Sequence, residues 1–243
     1  MSLRIGLLQC DHVADDLIDT HGDYQNMFSD LLHAQDQGIE VAIYDLTSDS
    51  FPIDLHACDG YIITGSQFSV YDDIPWIHKA KKLVADLYQA DIPTIGICFG
   101  HQLMAEALGG KVKKAEDKGW GVGVHDWEIK NESKWMGEKA PSSFSLRASH
   151  QDQVVEMPAD SKLYASSDFC PIAGFQTGKH FLSMQGHPEF SKEYSNALID
   201  KRVDIIGDDV VAHAKKTLKN KADSENVAAW MIAFIKQAQS SKG

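Results

Sequence analysis

The strongest constraint on the fold is a rhythm that runs through the first 110 residues. Short branched apolar runs, closed by polar residues or glycine, alternate with stretches that have helical spacing. Residues 3–8 form the first run, mostly branched and apolar, as a strand buried on both faces does. Tyr24, Phe28, Leu31, Leu32 and Ala34 then recur at helical spacing up to Gly38, a residue type that stops helices. Runs at 40–46 and 61–64 read as two further strands, the second ending on Gly65 and Ser66. Ile77, Ala80, Leu83, Val84 and Leu87 mark a helix that ends before Pro93. Residues 94–97 are again strand, and 99–108 again helix, closed by Gly109 and Gly110. This alternation predicts an α/β fold with a mostly parallel central sheet and flanking helices on both faces. Ligands of such sheets gather at the carboxyl ends of the strands.

Beyond Gly110 the texture changes. Short strand candidates at 111–115, 122–129, 143–148, 153–156, 162–165, 172–176 and 180–185 are spaced as in a meander, which predicts a small antiparallel section. From Ser191 the helical pattern returns, clearest at 203–219 and 224–238, with Ser224 as the expected N-cap of the last helix. No repeat, low-complexity tract or linker interrupts the chain. The expectation is a single domain over 1–243, with 200–243 as a C-terminal helical extension.

Composition narrows the partners. With 23 Lys and Arg against 35 Asp and Glu the net charge is −12, which repels phosphate backbones and anionic lipid. Neither nucleic acid nor a membrane is an expected partner. The longest apolar runs, such as 227–235, fall well below the roughly 20 residues that cross a bilayer. Cys10, Cys58, Cys98 and Cys170 lie far apart with no C-x-x-C pair, so no zinc ribbon or disulfide framework is indicated, and a reducing cytoplasm fits best. Eleven histidines include no H-E-x-x-H spacing, and the glycine-rich Gly119-Trp120-Gly121-Val122-Gly123 is followed by neither a helix nor the Lys and Ser/Thr of a phosphate loop. No metal and no cofactor are expected.

The chemistry concentrates at two strand ends. Cys98 falls between a strand and a helix, with Gly96 and Gly100 permitting a sharp turn. Such an elbow lifts a nucleophile out of the sheet onto a helix N-terminus, where a thiolate is favoured over a thiol. The competing reading is a buried structural cysteine, and position alone does not choose between them. In Gln185-Gly186-His187-Pro188-Glu189, the proline biases His187 into an extended conformation, where residues two apart point the same way. Glu189 can then fix the imidazole tautomer and leave the other nitrogen to exchange protons with a thiol. A solvated turn is the plainer reading of that tripeptide taken alone. Gly65, in Thr64-Gly65-Ser66-Gln67, offers a backbone N–H at a third strand end; with the N–H of Phe99 it could stabilise an oxyanion.

Cys98-Phe99-Gly100-His101-Gln102 together with Gly186-His187-Pro188-Glu189 resembles the class I glutamine amidotransferase domain, in matching order over roughly residues 40 to 195. The stretch YIITGSQFSVYDD at 61–73 is most similar to the GMP synthetase type. The resemblance implies a flavodoxin-like fold and a Cys98-His187-Glu189 triad that cleaves the side-chain amide of glutamine through a γ-glutamyl thioester. It also implies an oxyanion hole from Gly65 and Phe99, a substrate-holding Gln102, and backbone contacts from the segment Ser149, His150, Gln151 and Asp152 to the amino and carboxylate ends of the substrate. The chain departs from the pattern at Ser66 and Gln67, at Gln151 where glycine is frequent, and at Gly186 where an aromatic is frequent; the last implies a wider pocket. The activity implied is that of a free-standing glutaminase delivering ammonia to a separate synthetase subunit. An independent γ-glutamyl hydrolase or peptidase is the alternative. An idle binding or regulatory module is a third reading, against which the intact Cys98, His187 and Glu189 argue.

Overall fold

The computed structural model of the chain describes residues 2–240. In chain order it contains β1 (Arg4–Gln9), α1 (Asp15–His21), α2 (Tyr24–His33), β2 (Glu40–Asp45), β3 (Gly60–Ile63), α3 (Pro75–Gln89), β4 (Thr94–Ile97) and α4 (Phe99–Ala107). The strand-rich part follows as β5 (Lys111–Lys114), β6 (Gly121–Ile129), β7 (Ser143–His150), β8 (Asp152–Glu156), β9 (Ser161–Ser166), β10 (Gly174–Thr177) and β11 (Phe181–Met184). The chain then runs through α5 (Lys192–Lys201), α6 (Val203–Ile206), α7 (Asp208–Thr217) and α8 (Ser224–Ser240).

Among the described residues one sheet runs in the order β2-β1-β3-β4-β11-β10-β9-β6-β7. The five strands from β2 to β11 pair in parallel, and the pairings from β11 onward are antiparallel. The antiparallel strands thus extend the same sheet, while β5 and β8 form a separate ladder.

Side-chain alternation divides the core into two layers. Ile62, Leu182 and Met184 pack with Phe28 and Leu32 of α2 and with Met231 and Ile235 of α8. Their neighbours Tyr61, Ile63 and Phe181 face the other way, onto Ile77 and Leu83 of α3 and Leu103 of α4. All four residues of β3, of β4 and of β11 are buried, which is why those strands read as uninterrupted apolar runs rather than as alternation.

Two glycines hold α4 close to the sheet. A Cβ on Gly96 would lie 2.5 Å from the Gly100 carbonyl oxygen, and one on Gly100 would lie 2.5 Å from that of Ile63. No larger residue fits at either point without moving the helix that begins after Cys98.

Several sequence expectations need correction. α2 ends at His33, short of Gly38, and it starts with a capping box in which Asp23 and Asn26 satisfy each other's backbone. The helix expected over 203–219 is broken at Gly207, whose φ of 90° lies outside the helical region, and so forms α6 and α7. Ser224 is the first residue of α8 and not its cap; the Val227 N–H reaches the Asp223 carbonyl, and the Ser224 hydroxyl is buried without a partner. The end of the expected C-terminal extension, residues 241–243, lies outside the described residues. No helix among the described residues is long and apolar enough to cross a membrane.

Candidate active site

Cys98 sits between β4 and α4 with φ 52° and ψ −100°, a conformation that costs a non-glycine residue of order 1–3 kcal/mol. The surroundings impose it. The Cys98 N–H donates to the Met184 carbonyl of β11 (2.9 Å), and the Gly100 N–H donates to Thr64 beyond β3 (3.2 Å). The residue is 5% exposed and stands at the amino end of α4, where the helix dipole and the first-turn N–H groups favour negative charge. The first of those groups belongs to Phe99.

His187 follows β11. Its N–H donates to the Arg147 carbonyl of β7 (2.8 Å), and its ring stacks on Phe190 with centroids 3.8 Å apart and 10° between planes. Nδ1 lies 2.7 Å from Glu189 Oε1, with both side chains buried. Residues two apart in the chain meet here, His187 in a bridge to β7 and Pro188 and Glu189 in a bend. Burial alone would discharge the imidazole; the Glu189 carboxylate and the neighbouring Cys98 sulfur outweigh it and push the His187 pKa up to about 10. The ring therefore holds a proton on the side of Glu189 and carries positive charge at neutral pH.

Gly65 closes this group. A Cβ on Gly65 would stand 2.8 Å from His187 Cε1 and 3.7 Å from the Cys98 Cβ. The ends of β3, β4 and β11 thus bring Gly65, Cys98 and His187 to one point, with Phe99 next in the chain. Gly186 does not widen the pocket as its departure from the family pattern implied. A Cβ there would run into the indole of Trp127, which takes the space of the missing side chain.

Cys98 opens into a cavity of about 350 Å³. Gln102, Ser149, His150 and Gln151, the residues expected at the substrate's ends, all line it. Gln102 Nε2 donates to the Asp152 carbonyl (2.9 Å) and to Gln185 Oε1 (3.2 Å). His150 Nδ1 reaches the same Asp152 carbonyl at 3.1 Å. Burial, and then the nearby His125, lower its pKa to about 3, which keeps the ring neutral.

Sequence reasoning assigned no role to several other side chains of the lining. The Asp152 carboxylate accepts from the Ser69 hydroxyl (2.6 Å) and the Tyr71 hydroxyl (2.9 Å). Arg202, between α5 and α6, donates to the Ser149 hydroxyl (3.1 Å) and lies 5.9 Å from the Trp120 ring centroid. Lys114 adds a second cation to the lining. Asp152 carried a sequence signal as the last residue of the segment expected to face the substrate through its backbone, and Ser69 and Tyr71 as members of the 61–73 stretch; Arg202 and Lys114 carried none. Among the described residues no group of three His, Cys, Asp or Glu side chains is placed to hold a metal ion.

The structure thus sets a cysteine elbow and a histidine–carboxylate pair at the strand ends of a mostly parallel sheet. The sequence profile of Glutamine amidotransferase class-I matches residues 16–204, and the chain belongs to that family. It is 33% identical to Gamma-glutamyl peptidase 4 of Arabidopsis thaliana over 84% of both chains. It is 35% identical to a GMP synthase [glutamine-hydrolyzing] of Ligilactobacillus salivarius, over 58% of this chain but 26% of the synthase. The crystal structure of a glutamine amidotransferase from Thermotoga maritima superposes with a TM-score of 0.75, covering 98% of each chain at 18% identity, which speaks to the fold.

Proposed function

We propose that the chain hydrolyses the γ-glutamyl amide bond through a thioester on Cys98, and that its substrates are γ-glutamyl peptides. In this reading the Cys98 sulfur attacks the γ-carbonyl carbon, and the oxyanion forms against the N–H groups of Gly65 and Phe99. His187, held by Glu189, protonates the departing amine as the C–N bond breaks. It then takes a proton from water, which attacks the thioester; glutamate leaves and the sulfur recovers its starting state.

The observation that carries the substrate class is the cavity. About 350 Å³ is in the range that houses drug-sized ligands, more room than a single amino acid needs. The lining matches a zwitterion with a further carboxylate, since it offers the clamped Asp152 carboxylate to an ammonium, and Arg202 and Lys114 to carboxylates. The match over most of both chains to a relative called a γ-glutamyl peptidase supports the same reading.

A second reading keeps the same chemistry with glutamine as substrate and a separate synthetase as the ammonia acceptor; the match to part of a GMP synthase favours it. Incubating the purified chain with γ-glutamyl dipeptides and, separately, with glutamine distinguishes the two. Free glutamate from the dipeptides at a kcat/KM well above that for glutamine is expected. Ammonia from glutamine alone, with the dipeptides untouched, would overturn the peptide reading.

A further inference from the structure

Gln185 is the one member of the Gln185-Gly186-His187-Pro188-Glu189 block that the proposed chemistry leaves with a bare polar contact to the nucleophile. It is fully buried, and its side-chain Nε2 lies 3.4 Å from Cys98 Sγ as a hydrogen-bond donor. Its backbone N–H is spent elsewhere, on the Ala173 carbonyl at 2.8 Å.

The orientation of that amide follows from its neighbours. Gln102 Nε2 carries two hydrogens; one goes to the Asp152 carbonyl (2.9 Å) and the other to Gln185 Oε1 (3.2 Å). Turning the Gln185 amide over would set its NH₂ against the NH₂ of Gln102 and its oxygen against the sulfur, so that donor faces donor and both hydrogen bonds are lost. The chain Asp152 carbonyl, Gln102, Gln185, Cys98 therefore has one polarity, and it ends with an N–H aimed at sulfur.

We infer that Gln185 is a catalytic residue that holds the Cys98 sulfur in its anionic form, and that Gln102 positions it. This inference deepens the Cys98 thioester reading and rests on it. A neutral amide donor has a use that His187 cannot fill alone. The imidazolium must give up its proton to the departing amine, and at that moment the sulfur is bonded to carbon. When water attacks the thioester, the C–S bond breaks and its electron pair returns to sulfur, while the proton from water sits on His187. Gln185 supplies a hydrogen bond to the returning charge that moves no proton and does not depend on pH. The same bond favours the thiolate in the resting enzyme.

The test reads Cys98 directly and needs no substrate. Wild type, Gln185→Leu, Gln185→Glu and Gln102→Leu are alkylated with iodoacetamide from about pH 5 to about pH 9, and modification of the Cys98 peptide is followed by mass spectrometry. Loss of a hydrogen bond to a charged group predicts that Gln185→Leu is alkylated about ten-fold to a hundred-fold more slowly on the acidic limb. The two rates should converge on the alkaline limb, where the thiol ionises without help. Gln185→Glu keeps the size of the side chain and its acceptor for Gln102, so it guards against a leucine variant that fails to fold; it should be slower still, because it sets a carboxylate beside the sulfur. Gln102→Leu should fall between wild type and Gln185→Leu. A reactive wild type whose acidic limb is matched by both Gln185 variants would overturn the inference and leave the γ-glutamyl reading standing. A wild-type Cys98 inert at every pH would overturn both.

Discussion

The two halves of the main sheet differ in what they hold and how tightly. The parallel half, β2 to β11, brings Gly65, Cys98 and His187 together on strand ends whose side chains are all buried, and where glycines leave no room for a Cβ. The antiparallel half contributes Ser149 and His150 from the end of β7 to the cavity wall, Gln151 and Asp152 follow where the chain enters β8 of the separate ladder, and the α5–α6 junction adds Arg202. The proposed chemistry, which needs sub-ångström positioning, falls on these fully buried strand ends. The proposed substrate contacts, which tolerate variation, fall on strand tips, the single-residue link at Gln151 and the α5–α6 junction.

That contrast predicts which changes abolish turnover and which only shift binding. Cys98→Ala should lower kcat by about 10⁴-fold or more without unfolding the chain, as assayed with a γ-glutamyl dipeptide and by thermal melting. Cys98→Gly should be equally inactive yet more stable than the alanine variant by roughly 1 kcal/mol, since glycine accepts the φ of 52° that alanine resists. An alanine variant as stable as the glycine one would remove strain from the account.

Glu189→Gln comes next, with an expected loss of about 10²–10⁴-fold in kcat, because the ring keeps a hydrogen-bond partner but loses the charge that stabilises its protonated form. The pair also shapes stability. The His187 pKa is raised from its ordinary 6.5 to about 10, so its contribution is fully present below 6.5 and is lost as pH rises to 10. Denaturant melts of wild type should therefore weaken across that alkaline window, and those of Glu189→Gln should weaken less.

In the antiparallel half the effects should be smaller and of another kind. Arg202→Ala should raise KM for a γ-glutamyl dipeptide about ten-fold while kcat stays within a few-fold. An equal fall in kcat would mean that this wall takes part in the chemistry and would break the contrast. The last comparison, on stability alone, sets a buried histidine of each half side by side, His101 of α4 and His150 of β7. His101 and His150 are both lowered by burial from 6.5 to about 3, so their neutral forms support the fold above 6.5 and that support is lost as pH falls towards 3. His101→Gln should flatten the acid side of the stability profile.

The same contrast governed what could be read from the sequence. The parallel strands were visible because burial on both faces writes them as unbroken apolar runs, and Cys98, His187 and Glu189 because each sits beside one of those runs in a short spacing with a chemical meaning. α1 was missed since none of its residues is buried, so it carries no apolar stripe. The break at Gly207 was hidden inside a pattern that stays helical on both sides. Arg202 is brought to the cavity by tertiary packing from far along the chain, and nothing in its local spacing marks it; Ser69 and Tyr71 lie in the 61–73 stretch marked by its family likeness, but their clamp on Asp152 emerges only from the packing. The space behind Gly186 could be judged only once Trp127 was seen to occupy it.

The most direct measurement is the covalent state of Cys98 during turnover. With a γ-glutamyl dipeptide present, rapid acid quenching and mass spectrometry should find one glutamyl residue attached to the peptide that holds Cys98. The adduct should be removed by hydroxylamine and be absent from Cys98→Ala. Release of glutamate with no adduct on Cys98 at any quench time, and with activity surviving in Cys98→Ala, would contradict the account.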